Sequence, residues 1–105
     1  MNTTRTTFYI GLHSPCERDS NRSGAVAARR TLALDSLSDA YDALTVTDTL
    51  GVWEGNEEPS IRVEVLGEDS PEGRERAREI ARSIRDDLNQ DAVALTFEPV
   101  TFELI

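Results

Sequence analysis

The sequence has little of several residue types on which small proteins often depend: its 105 residues include one cysteine, one histidine and no lysine. Cys16 has no partner for an internal disulfide, and with His13 it falls short of the roughly three protein ligands that zinc needs. A P-loop and a G-x-G-x-x-G motif are also missing. These absences lead us to expect no metal, no cofactor and no catalytic residue that the sequence can name.

Long apolar runs are absent as well. No stretch approaches the ~18 apolar residues of a membrane helix. The first residues, MNTTRTTFYIGL, lack the basic head and apolar segment of a signal peptide. A lone cysteine is typical of a reducing compartment. We therefore expect a cytoplasmic protein without membrane association, folded as a single domain over residues 1–105.

The charge balance is strongly acidic. Twenty Asp and Glu residues face eleven cations, all of them arginine, which gives a net charge of -9 and a pI of about 4.5. A high net charge keeps proteins soluble in molar salt, where repulsion is screened, so we predict a halophilic protein. The alternative is a GC-rich genome that replaces lysine by arginine. In either case nonspecific nucleic-acid binding is disfavoured, because it needs a basic surface.

Hydrophobic periodicity predicts six elements. Alternation with a period of two, typical of half-buried strands, occurs over residues 6–12, 44–53, 61–66 and 92–97. Apolar residues three and four apart predict one helix over 25–44 and another after Ser70, a predicted N-cap followed by Pro71. Pro99 interrupts the last pattern, as in an edge strand. Turn formers at 54–60 predict a loop that joins two strands into a hairpin.

The order strand, helix, strand, strand, helix, strand is that of a ferredoxin-like βαββαβ sandwich. We therefore predict an α+β fold in which one face of an antiparallel sheet carries both helices. The predicted core consists of the apolar strand residues Phe8, Ile10, Leu12, Leu44, Val46, Ile61, Val63, Val65, Val93, Leu95 and Phe97.

The other face of the sheet has no predicted cover. Alternation places small, β-branched and charged residues there: Thr7, Tyr9, Gly11, Thr45, Thr47, Thr49, Arg62, Glu64, Ala92, Ala94 and Thr96. Trp53 lies at its margin. A bulge at Gly51 would instead turn the indole toward the core, so its side stays open at this point.

Parts of the chain resemble an uncharacterised family of small bacterial domains with the pattern L-Y-F-G-L, then G-L-T-V-x-D-x-x-G-x-W, then E-x-S before a strand. The matching positions are Phe8 to Leu12, Leu44 to Val46, Asp48, Gly51, Trp53, Glu58 and Ser60. Ala43 replaces the glycine of the second segment. The resemblance implies a fold and no activity.

The leading hypothesis for function is a non-enzymatic module that forms a homodimer through the uncovered sheet face, since a lone domain would expose it. A second hypothesis places a small-molecule or catalytic pocket over that face. Its polar and aromatic lining would be Tyr9, His13, Trp53, Arg62 and Glu64.

A third hypothesis concerns an anionic partner. The segment 16–30 gathers Arg18, Arg22 and Arg29 around the start of the first predicted helix. Free N–H groups at a helix N-terminus and arginine side chains both bind anions. Neighbouring acids, Glu17 and Asp19, favour self-neutralisation of these cations.

Overall fold

The computed structural model describes residues 2–13 and 22–105, without the side chains of Arg22, Ser23 and Trp53. It forms one antiparallel sheet of four strands in the order β2-β3-β1-β4, together with two helices. The elements are β1 (Thr3–Gly11), α1 (Arg22–Ala40), β2 (Thr45–Trp53), β3 (Asn56–Glu68), α2 (Pro71–Asp87) and β4 (Ala94–Val100). The predicted α+β class and the alternation of strands and helices are confirmed.

The core lies between the helices and one face of the sheet. Phe8 and Ile10 of β1 are opposite Val63 and Ile61 of β3, and all four side chains are buried. The helices contribute the buried residues Ala33, Leu37, Ala77, Ala81 and Ile84. Partly buried side chains surround this centre: Leu44, Val46, Val93, Leu95 and Phe97. The predicted core is therefore correct in composition, and the outer strands form its half-exposed rim.

Helix α2 begins where its capping residues predict. The hydroxyl of Ser70 accepts a hydrogen bond from the N–H of Gly73 at 2.9 Å, and Pro71 occupies the first turn. Asp69 adds a charged pair with Arg74 at 2.9 Å, which lowers the pKa of the Asp69 carboxyl through a hydrogen bond. The N-cap prediction is confirmed.

Helix α1 differs from its predicted range. It runs over Arg22–Ala40 rather than 25–44, so it ends before Tyr41 and Leu44. Both residues still pack against the core, and the rings of Tyr41 and Phe8 are 6.1 Å apart. The apolar spacing of a helix extends past Ala40, where α1 ends, because Tyr41 and Leu44 also bury apolar side chains.

The hairpin between β2 and β3 is tighter than predicted. Only Glu54 and Gly55 form the turn, with φ of 49° and 79°, and the strands pair from Trp53 with Asn56 onward. Positive φ at both central residues fits a two-residue hairpin, where glycine carries no steric penalty. The predicted loop at 54–60 is wrong, since its polar residues continue strand β3.

Strand β4 continues through Pro99 and ends at Val100. Because β4 lies at the edge of the sheet, a residue without an N–H is tolerated there, and the edge-strand prediction is confirmed. No helix within the described ranges is long and apolar enough to cross a membrane.

Candidate functional site

The face of the sheet opposite the helices, called the open face below, has a regular register. Tyr9 of β1 is opposite Arg62 of β3, and Arg62 is opposite Thr47 of β2. In the next row Thr7 is opposite Glu64. The remaining members are Arg5, Thr45, Thr49, Ser60, Ala94, Thr96 and Glu98. The predicted membership of this face therefore agrees with the register, except that Ala92 precedes β4.

Apart from Glu98, the described open-face side chains on the outer strands are uncharged. Thr47 on β2 and Thr96 on β4 are exposed, and Tyr9 between them is 43% exposed. Thr7 is only 2% exposed, so neighbouring side chains cover the middle of the sheet at that point. Among the described side chains, the face is thus a shallow surface with one half-exposed aromatic ring, that of Tyr9.

An ion-pair network crosses the centre of the open face. Glu64 lies 3.3 Å from Nε of Arg62 and 3.8 Å from Nε of Arg5, and Arg5 reaches Glu98 at 3.8 Å. The Nε of Arg62 is buried yet lacks the alignment that a hydrogen bond needs. Two cations and two carboxylates therefore balance one another at the centre of a protein that carries a net charge of -9.

Trp53 occupies the last position of β2. The register of β2 with β3 is continuous through Gly51, so no bulge interrupts the strand there. The backbone of Trp53 pairs with Asn56, whereas its side chain lies outside the described residues. The predicted role of the indole therefore stays a prediction.

His13 lies just beyond the end of β1. Its carbonyl oxygen accepts a hydrogen bond of 2.7 Å from Nε2 of Gln90. The Nδ1 atom of its ring is buried and has no hydrogen-bond partner within the described part of the chain. Gln90, which the sequence did not single out, thus fixes the main chain at this end of β1.

The predicted anion-binding arginines are only partly described. Arg18 lies outside the described residues, and so does the side chain of Arg22, the first residue of α1. Arg29 donates to the carbonyl oxygen of Leu12 at 3.5 Å. This hypothesis also stays a prediction.

A polar corner lies at one end of the open face, formed by Gly11, Gly51, Glu58, Ser60 and Gln90. In the register Gly51 is opposite Glu58 and Gly11 is opposite Ser60. A side chain at position 11 would collide with Oε1 of Glu58 and would lie 3.0 Å from Oε1 of Gln90. The missing side chain of Gly11 therefore makes room for these two groups. Glycine inside a strand pattern was the sequence signal for such a close approach.

Two hollows of the surface lie away from the predicted ligand residues. One, of about 520 Å³, lies at the other end of β1 and is lined by Asn2, Thr3, Asp69, Pro99, Val100, Thr101 and Phe102. A smaller one, of about 210 Å³, lies between α2 and β4 beside Arg78 and Leu95. Among the residues that the structure describes, no group of three or more His, Cys, Asp or Glu side chains could hold a metal ion.

Comparisons with known proteins concern the fold. No protein-family model matches the chain. No curated protein matches it. A phage SAM lyase in complex with S-methyl-5'-thioadenosine has a similar structure, with a TM-score of 0.63 and 14% identity over 92% of this chain and 81% of that one. Its apo form gives a TM-score of 0.61 at 13% identity, covering 93% and 81% of the two chains.

A dimeric ferredoxin-like protein from an uncultured marine organism has a TM-score of 0.44 and 16% identity, over 100% of this chain and 93% of that one. At these identities the similarity of the phage enzyme extends to the fold alone. The chain is therefore a small α+β protein whose sheet and helices have the arrangement of a solved structure.

Proposed function

We propose that this chain is a ferredoxin-like, non-enzymatic binding module that forms a homodimer through the open face in a salt-rich cytoplasm. The fold assignment is supported by the element order βαββαβ and by the strand order β2-β3-β1-β4. Both helices pack on the face that contains Phe8 and Val63. Within the described ranges, no element covers the other face.

The charge balance of the open face carries the proposal of a homodimer. The protein carries a net charge of -9, through which two copies repel each other. At the centre of the open face this charge is locally balanced, because Arg5 and Arg62 offset Glu64 and Glu98. Uncharged side chains lie on both sides of this network. Two copies therefore meet there with less repulsion than at an acidic surface.

The shape of the open face supports the same partner. The side chains of Thr45, Thr47 and Thr49 on β2 and of Ala94 and Thr96 on β4 are small, so two sheets can approach closely there, and Tyr9 supplies exposed aromatic area. A face of this kind is self-complementary under two-fold symmetry, which most small oligomers use. Face-to-face packing of two sheets is a common way to cover such a surface.

The experiment compares two variants that add the same charge. Thr47→Glu places a carboxylate on the open face, whereas Thr31→Glu places one on an exposed position of α1. We expect light scattering in molar salt to give a dimeric mass for the wild type and for T31E. T47E should shift toward the monomer at the same concentration. A monomeric wild type, or a T47E variant as dimeric as T31E, would contradict the proposal.

A second candidate function is a small-molecule site on the open face, lined by Tyr9, His13, Trp53, Arg62 and Glu64. The observation that favours it is the position of half-exposed Tyr9 directly opposite Arg62. An aromatic ring beside a guanidinium group provides both stacking and anion binding. Replacing Arg62 and Glu64 by alanine should abolish any ligand found in a metabolite screen; unchanged binding by the folded double variant rules this candidate out.

A further inference from the structure

In the polar corner at the end of the open face, the side-chain oxygens Oε1 of Glu58 and Oε1 of Gln90 accept no hydrogen bond from the described residues. Glu58 is half-buried, and across the described part of the chain its carboxylate has no ion pair or hydrogen bond. A half-buried carboxylate without a partner is unusual, because desolvation favours a partner of opposite charge. Among the residues that the structure describes, no positively charged or N–H-bearing group therefore pairs with the Glu58 carboxylate.

The orientation of Gln90 adds a second acceptor. Its Nε2 donates to the carbonyl oxygen of His13 at 2.7 Å, which leaves Oε1 as the atom that faces Gly11. Oε1 of Glu58 borders the same point above Gly11. Two oxygen acceptors thus converge on one place, and neither carries a proton to donate when the carboxyl group is ionised.

Glycine occupies the strand positions on both sides of Glu58. Gly11 and Gly51 lie on the strands at either side of Glu58, and neither adds a side chain to the open face. At Gly51 a side chain would meet only the carbonyl oxygen of Glu58 and Oγ of Ser60, both at 3.8 Å, so the space beside it is open. The Glu58 carboxylate and Oε1 of Gln90 thus fill the space over Gly11, and the side toward Gly51 is the one that leaves room for a small ligand.

Aromatic surface lies next to the acceptors. Tyr9 is two residues before Gly11 on β1, so both residues belong to the same face of the sheet, and Tyr9 is 43% exposed. A ring beside a carboxylate is the combination that binds organic cations, through the π-face and the charge together. Two described cations lie near this end of β1. Arg62 is opposite Tyr9 and pairs with Glu64 at 3.3 Å, and Arg29 reaches Leu12 from α1 on the opposite face.

We propose that the polar corner of Gly11, Gly51, Glu58 and Gln90 binds a small organic cation that carries several N–H donors, a primary ammonium or a guanidinium group. Glu58 supplies the charge, Oε1 of Gln90 supplies a second acceptor, and Gly51 leaves the space beside Glu58 open. A metal ion is not the expected occupant, because no set of three ligating side chains exists in the described ranges. The corner lies on the face through which we propose dimerisation, so the monomer should bind the ligand at least as well as the dimer.

The test uses agmatine as the guanidinium probe and putrescine as the ammonium probe, followed by amide chemical shifts in two-dimensional NMR. We expect saturable shifts at Gly11, Gly51 and Glu58 in the wild type. The variant Glu58→Gln, which keeps the shape and removes the charge, should weaken binding at least about tenfold. The matched control is Glu68→Gln, which removes the same charge at the other end of β3 and should leave the affinity within about twofold.

A second variant tests the space rather than the charge. Gly11→Ala should also weaken binding, because the added methyl group displaces Glu58 and Gln90. Circular dichroism checks that each variant is folded, and T47E should bind at least as tightly as the wild type, because the monomer leaves the open face uncovered. Absence of saturable binding by both probes, an E58Q variant that binds like the wild type, or an equal loss in E68Q would each overturn the proposal.

Discussion

Arg30 of α1 holds Asp48 of β2 through two parallel hydrogen bonds. Nε of Arg30 lies 2.9 Å from Oδ1 of Asp48, and Nη2 lies 3.3 Å from Oδ2. The bond to Arg30 lowers the pKa of the Asp48 carboxyl, and the bond to Asp48 raises the pKa of Arg30. This bidentate pair connects the first helix to an edge strand, 18 residues further along the chain.

The Arg30–Asp48 pair predicts a pH dependence of stability. Because the pKa of Asp48 is depressed in the folded state, the pair stabilises the fold above the ordinary aspartate pKa of 3.8 and is lost as the pH falls through the lower folded value. We expect denaturant unfolding to show a difference between the wild type and Asp48→Asn at pH 6 that disappears in strong acid. Both side chains are exposed, so molar salt should reduce the difference. A difference that persists in acid would contradict this origin.

The N-cap of α2 predicts a local loss of stability. Ser70→Ala removes the acceptor for the N–H of Gly73, and we expect the free energy of unfolding to fall by about 1 kcal/mol. Ser83→Ala, at an exposed position within the same helix, serves as the control and should cost nothing, since alanine favours helix. Equal losses in the two variants would show that the cap does not contribute.

Replacing two leucines by alanine should change the stability of the fold by very different amounts. Leu37 is fully buried, whereas Leu50 is 62% exposed although it follows Val46 on the core side of β2. We expect Leu37→Ala to lower the free energy of unfolding by about 2–5 kcal/mol, through lost burial and the cavity it leaves. Leu50→Ala should change it by less than about 0.5 kcal/mol. Urea unfolding of both variants checks this, and a large loss at Leu50 would indicate a partner on that surface.

The hairpin turn predicts a stabilising substitution. Glu54 has a φ of 49°, a conformation that asparagine adopts more readily than glutamate. We expect Glu54→Asn to raise the free energy of unfolding by a few tenths to about 1 kcal/mol. Glu54→Gln removes the same charge but keeps the unfavourable side chain, so it separates the backbone effect from electrostatics. Thermal unfolding that ranks glutamine above asparagine would refute the explanation.

The sequence predicts the helices, the strands and the two faces of the sheet, because these features follow from local chemistry. Ser70 and Pro71, followed by an apolar stripe of helical period, favour a helix start, and alternation along β1 separates Phe8 from Tyr9 in any antiparallel sheet. The predicted hairpin loop is too long, because the polar residues at the start of β3 have the composition of a turn.

Local sequence predicts which side of each strand is apolar and where α2 begins, and composition sets the net charge of -9. Which apolar positions are covered depends on packing between distant elements: Val46 packs against the core, whereas Leu50 and Val52, on the same side of β2, are exposed. This packing also brought Gln90 to His13 and placed Glu58 against Gly11. The reason is physical, because periodicity records the direction of a side chain and not the distant element that meets it.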